Sequence, residues 1–410
     1  MRKISMALRQ HQFAGPGLLL VGLLLTMGAC GDGGHGDDRT DAETGGARLA
    51  RGCALVIDDH SLQAFYALAD RVAAGQEVPL EEMTDLVSEP IWDRWRRSFE
   101  PEPLAAARVG RALFIALRGR EDLPDRLRDK AAPSDLVGNY KLTLERREQI
   151  VPFVDAFIAE EIGCEVFGVL SPWLDASAMP DTVRIDVLVG HPEIRLYEDH
   201  VMLDAGLAWA AGREQLVRFL ASVIYRDRDT IDGRDPDHAR GEAILLETLR
   251  LVRNEAIPSL LDRMTEVTFD PRHRLLAGAS PQPDEICLQA QRSIISLDSA
   301  LDHVRSLAEP GDEDWMHLYR LFVGARSVQP TGWYMARVIE ERFGQERLAA
   351  AKASVADFFA AYQEAALQSP PEPSAADGTL AWYLETAPRL SADNAAWLDV
   401  ELRRQFPSSG

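Results

Sequence analysis

The chain has 410 residues, of which 46% are hydrophobic, and carries a formal net charge of −21 at pH 7. A surface this anionic repels phosphate backbones and acidic headgroups, which argues against nucleic acid as a partner and against lying flat on an anionic membrane. The roughly 360 residues from 51 onward are enough for one large core or two subdomains.

The N-terminus is basic (Arg2, Lys3, Arg9) and runs into the apolar stretch "GLLLVGLLLTMGA", followed by Cys30. A positive start, a short apolar stretch and small residues before a cysteine describe an export signal of the lipoprotein kind, with Cys30 as the lipid anchor and residues 1–29 removed. The alternative is a membrane-spanning helix. Phe13–Ala29 is at the short end of the spanning range and contains a proline and several glycines, which disfavours it. Removal of residues 1–29 deletes three positive charges and no acid, leaving −24. The sequence therefore predicts attachment through lipid alone, at the inner or the outer membrane of a bacterial envelope. Residues 31–50, rich in Gly and Asp, cannot bury enough surface to fold and read as a tether. Cys53, Cys164 and Cys287 remain, and in an oxidising compartment they allow one disulfide with three alternative pairings, or three separate thiols.

From residue 51 to 367 helical periodicity dominates. Leu62, Phe65, Leu68, Ala69 and Val72 share one helix face, and so do Ile150, Val154, Phe157 and Ile158, with Pro152 expected to start or kink that second helix. Prolines at 90, 101 and 133 divide the first part into short helices. "TVRIDVLVG" (182–190) alternates, with Val183, Ile185, Val187 and Val189 on one side and Arg184 and Asp186 on the other, which predicts a half-buried strand. "EIRLYEDHVMLD" (193–204) supplies one or two more. Helices follow at 242–257, 285–307, 313–326, 333–343 and 354–367. Residues 368–378 are a Pro-rich linker and 379–410 a short helical tail. The expected order is helices, a small sheet at about 182–204, one opening helix and then many helices, which is a mainly α, α+β fold.

Three segments bear on function. They are "VMLDAGLAWAAGREQLVRFLASVIYRDR" (201–228), "LRLVRNEAIPSLLD" (249–262), and "GWYMARVIEERFG" (332–344) with "DFFAAYQEAA" (357–366). Together they resemble an uncharacterised bacterial family described as zinc-dependent peptidases of the gluzincin kind. The resemblance runs from about residue 57 to 367 and is weak outside these segments. It implies a zincin-like fold in which an edge strand leads into a helix bearing HExxH, and in which an N-E-G element on a later helix supplies the third zinc ligand. In HExxH, histidines at i and i+4 share a helix face and grip one Zn²⁺, while the glutamate activates the metal-bound water.

Here the positions that match are Ser222 and Arg226 for the histidines and Val223 for the base. Serine is a poor zinc ligand, arginine is a permanent cation, and valine has no proton chemistry. Val223 also belongs to the apolar stripe Leu216, Phe219, Leu220, Val223, Ile224, which predicts core packing. Glu255 stands at the third-ligand position, with Ala256 in place of the family's glycine and Pro258 three residues on, where a kink is expected. An ion pair between Arg226 and Glu255 would fill the space of the metal. The resemblance gives Tyr334 a possible hydrogen bond to a developing oxyanion; its own residues equally describe an aromatic that packs its helix.

The nine histidines include no i, i+4 pair. "RDRDTIDGRDPDHARGE" (226–242) collects Asp227, Asp229, Asp232, Asp235, Asp237 and His238 without the spacing of a calcium loop, and reads as a solvated acidic loop. The sequence thus predicts an envelope lipoprotein with a degenerate peptidase-like domain. No confident catalytic or metal residues and no cofactor are expected, and the cleft is left free for a peptide or protein ligand. The alternative is an active zinc-dependent hydrolase with a non-standard metal site.

Overall fold

The computed structural model describes residues 54–99, 102–160, 162–231, 241–263, 267, 269–276, 282–320, 326–368 and 378–406. Cys30 with its leader and tether, Cys53, the acidic residues Asp232, Asp235, Asp237 and His238, and most of the 368–378 linker lie outside these residues.

The chain is mainly helical around one four-stranded sheet of order β1-β2-β4-β3. The described residues open on a strand, β1 (Ala54–Asp58), that the helix-first reading missed. Eight helices follow: α1 (His60–Ala73), α2 (Leu80–Leu86), α3 (Pro90–Arg97), α4 (Ala106–Leu117), α5 (Asp125–Arg128), α6 (Ser134–Glu145), α7 (Arg147–Ala159) and α8 (Gly163–Leu170). The chain then returns to pair β2 (Thr182–Leu188) parallel to β1. "ALVID" is too short to announce itself, and its partner lies more than a hundred residues away. Pro90 sits in the first turn of α3 and Pro133 caps α6, as proline's fixed φ favours. Pro152 lies inside α7, which begins five residues earlier.

β3 (Ile194–Tyr197) and β4 (His200–Asp204) form a hairpin across Glu198 and Asp199, both at positive φ. β4 also runs parallel to β2. The alternation expected of β2 holds for its first half only. Arg184 is exposed, whereas Asp186 is buried and takes Arg94 at 2.6 Å and His200 at 2.9 Å. The sheet is covered on both faces there, and the second face tolerates a carboxylate because it is ion-paired.

β4 passes directly into α9 (Ala205–Arg228), with the Asp204 carboxylate accepting from the Leu207 N–H at 2.8 Å as its N-cap. At Gly212 the φ of 73° breaks α9 into two helical arms, a bend only glycine adopts cheaply. The second arm buries Leu216, Phe219, Leu220, Val223 and Ile224. α10 (Gly241–Leu261) runs on through Pro258, and α11 (Pro283–Ser306), α12 (Asp312–Tyr319), α13 (Val328–Ala351) and α14 (Val355–Leu367) complete the body. α13 crosses α10 so closely at Gly332 that a Cβ there would collide with the Val252 carbonyl and stand 3.1 Å from the Ala256 nitrogen. The tail forms α15 (Gly378–Glu385) and α16 (Ala392–Gln405), which bury Leu384, Leu398 and Leu402 against α11 and α14. Among the described residues no helix is long and apolar enough to cross a membrane. Cys164 is exposed and Cys287 buried, both as free thiols.

Two buried titratable groups sit where the sheet meets α9, and they oppose each other. Burial, assisted by nearby Glu193, raises the Asp204 carboxyl from 3.8 to about 7 against its three hydrogen bonds. Burial lowers His273 from 6.5 to about 4. The folded state therefore holds an extra proton on Asp204 between pH 4 and 7, so that contribution to stability is lost as pH rises through this window. The unfolded state holds the extra proton on His273 between pH 4 and 6.5, so that contribution grows with pH. Wild type is expected to show a shallow profile in urea unfolding. His273→Phe should expose a decline in stability from pH 4 to 7, and Asp204→Asn should remove it.

Candidate functional site

Ser222 and Arg226 are one helical turn apart on the second arm of α9, so their side chains stack on one face. The Arg226 Nη1 donates to Ser222 Oγ at 2.8 Å. Its Nη2 donates to Glu255 Oε2 at 3.0 Å and lies 3.6 Å from Asp262 Oδ2. Ser222 Oγ is also 3.4 Å from Asp262 Oδ2, which closes the circuit. The ion pair expected between Arg226 and Glu255 is thus present, and it is well shielded: the side chains of Arg226, Glu255 and Asp262 are 7%, 16% and 5% exposed.

Asp262 is the member that the sequence did not single out. It lies one residue past α10 and seven after Glu255, a two-turn spacing that puts both carboxylates on the α9 side of the helix. That i, i+7 spacing was the available signal. Pro258 does not deflect Glu255, because α10 continues through it to Leu261. The backbone around Glu255 is held by the close crossing at Gly332. Asn254, beside it, donates to the Ile231 carbonyl at 3.1 Å and accepts from the Ile231 N–H at 3.2 Å, fastening α10 to the chain leaving α9.

The end of α9 carries a second ionic cluster. Asp229 accepts from Lys352 at 2.8 Å, from Arg253 at 3.1 Å and from the Tyr225 hydroxyl. Its half-buried carboxylate is a tie between α9, α10 and the end of α13, so the described start of the acidic loop is ion-paired where a solvated stretch was expected.

Ser222, Arg226 and Asp262 contribute the polar lining of a small cleft of about 30 Å³. Leu207, Phe219 and Val223 of α9 and Phe269 and Leu276 of the chain after α10 supply the apolar lining. Pro192, Glu193 and Ile194, at the start of β3, form the rim. β3 ends the sheet and pairs with β4 alone. Tyr334 is not part of this cleft. It is fully buried, its hydroxyl donates to the Tyr383 carbonyl at 2.7 Å and accepts from Gln291 Nε2 at 2.9 Å, and burial raises its pKa above the ordinary tyrosine range. It ties α13 to α11 and α15.

These residues do not fit a zinc ion. A tetrahedral site needs three neutral or anionic donors converging on one point. Here the carboxylates of Glu255 and Asp262 face the Arg226 guanidinium, and Glu193 is bonded to Arg195. Among the described residues no group of three or more His, Cys, Asp or Glu side chains is arranged to hold a metal.

Residues 225–370 match the model of a family described as "Putative zinc dependent peptidase (DUF5700)", in agreement with the resemblance carried by the sequence motifs. The match takes in Arg226, Glu255 and Tyr334 and begins just after Ser222 and Val223. No curated protein and no solved structure matches the chain.

Breaking a buried ion cluster by removing one partner strands the remaining charges, at a cost of about 3–5 kcal/mol. Arg226→Ala leaves two carboxylates without their cation and should lower the urea midpoint accordingly. Arg226→Met combined with Glu255→Gln and Asp262→Asn should recover most of that loss, because no charge is then stranded.

Proposed function

We propose that this protein is a lipid-anchored component of the bacterial envelope whose peptidase-type cleft binds an extended peptide or protein segment without hydrolysing it. The observation that carries this reading is the place of the Arg226 guanidinium. By the resemblance it corresponds to a zinc-ligating imidazole, and it is ion-paired to Glu255, which by the same resemblance corresponds to the third ligand. The chemistry such a site needs is a Lewis-acidic metal, an activated water and a base beside them. Ser222, Val223 and Arg226 supply none of these.

A binding role uses what the cleft retains. Its lining combines apolar side chains with the held polar groups, and among the described residues the outer edge of β3, next to it, is unpaired. An extended segment laid along that edge gains main-chain hydrogen bonds and can rest apolar side chains against the cleft mouth. The anionic surface leaves lipidation of Cys30 to hold the protein at the membrane.

Two measurements test this. Wild-type protein should contain no stoichiometric zinc by elemental analysis and should cleave no peptide in a chelator-sensitive way. The triple variant Ser222→His, Val223→Glu, Arg226→His should gain stoichiometric zinc, because Glu255 already faces that position. Chelator-sensitive cleavage by the wild type would establish the opposite reading, an active hydrolase. Separately, Cys30→Ser should move the protein from the membrane fraction to the soluble fraction and abolish fatty-acid labelling.

A further inference from the structure

Behind one wall of the cleft lies a group of polar atoms sealed from solvent, with no hydrogen-bond partner among the described residues. Three come from α6: Asn139 Oδ1, the Tyr140 hydroxyl and Thr143 Oγ1. Two more are the ring nitrogens of His273. All four side chains are fully buried. Native proteins rarely leave one such atom unpaired, because a buried polar group without a partner loses its hydration and gains nothing in return. Two of these atoms, Thr143 Oγ1 and His273 Nε2, meet at one spot and find no partner among the described residues.

Asp204 lies at the centre. Its Oδ2 accepts from Asn139 Nδ2 at 2.8 Å and from the Gly190 N–H at 2.9 Å, and its Oδ1 accepts from the Leu207 N–H. The next link is Gly206. A Cβ built on it would stand 3.1 Å from Asp204 Oδ1, 3.2 Å from His273 Nε2 and 3.4 Å from Thr143 Oγ1. Polar atoms from β4, from α6 and from the 269–276 loop therefore converge on the bare side of one glycine. They do not bond to one another there. A Cβ at this position would crowd all three atoms.

We infer that Asp204, Thr143 and His273 hold an ordered internal water against Gly206, and that Tyr140 and Asn139 extend the same hydrated cluster. The chemistry suits water and little else. Burial keeps the His273 ring neutral, so one ring nitrogen accepts while the other donates. Asp204 Oδ1 accepts, and the Thr143 hydroxyl does either. A small uncharged molecule that both donates and accepts satisfies all three at once, and internal waters commonly make about three such bonds.

The water also has a place in the architecture. Leu207, whose N–H Asp204 caps, and Leu276, whose N–H donates to the His273 carbonyl at 2.9 Å, both line the cleft. The hydrated cluster thus joins the backs of two cleft walls that arise from different parts of the chain.

Oxygen-17 magnetic relaxation dispersion counts long-lived internal waters in solution and can be applied to the full chain. Gly206→Ala and Thr143→Val, each checked for an unchanged circular dichroism spectrum, should each lose at least one long-lived water relative to wild type. An unchanged count in both folded variants would overturn the inference. If neither variant folds, a high-resolution crystal structure of the unsubstituted chain decides. Density within hydrogen-bonding distance of Asp204 Oδ1, His273 Nε2 and Thr143 Oγ1 supports the site. Direct bonds among these side chains, with no density between them, exclude it.

Discussion

The guanidinium of Arg226 is the point on which the site is organised. One planar cation reaches Ser222 on its own helix, Glu255 on α10 and Asp262 just beyond α10. Its fork of donors lets it satisfy several oxygens at fixed angles, which a lysine at the same place would not do. Since all of these groups are shielded from water, the geometry has little freedom. Either the cation stays where it is or two carboxylates are left buried without compensation. In this way α9 and α10 are tied to each other through one shared cation.

Other ties hold this one in place. Asp229 anchors the end of α9 to Arg253 and to Lys352, so α10 and the end of α13 close on the same helix terminus. Gly332 lets α13 lie directly on the α10 backbone at Val252 and Ala256, next to Glu255. Ala256 stands on α10 at this crossing, and the glycine of the opposite helix provides the close approach. At the other end, Asp204 joins the sheet to α9 through its cap. Polar groups fix both ends of α9, and its apolar stripe fills the interior between them.

Tyr334 and Asp262 show how far local pattern goes. Tyr334 sits in a recognisable Gly-aromatic-Tyr run, yet its hydroxyl is used by Tyr383 from the C-terminal tail, a contact that depends on how residues 378–385 fold back. Asp262 belongs to no motif and is nevertheless among the more buried charges of the site. β1 escaped for a similar reason, since a five-residue strand is defined by its partner and the partner of β1 lies across eight helices. The bend at Gly212 is set by one positive φ inside a run with continuous helical spacing.

Local chemistry alone determined much of this protein. The helical body, the strand character of β2 and the burial of the Leu216–Ile224 stripe follow from residue type and spacing, because periodicity is a property of neighbouring residues. Tertiary structure alone decided that Arg226 finds two carboxylates, that Asp186 is paired and buried, and that Asp204, Thr143 and His273 converge beside Gly206. Each of these depends on side chains from separate elements meeting within a few ångströms. Only the packing of the whole chain sets such distances.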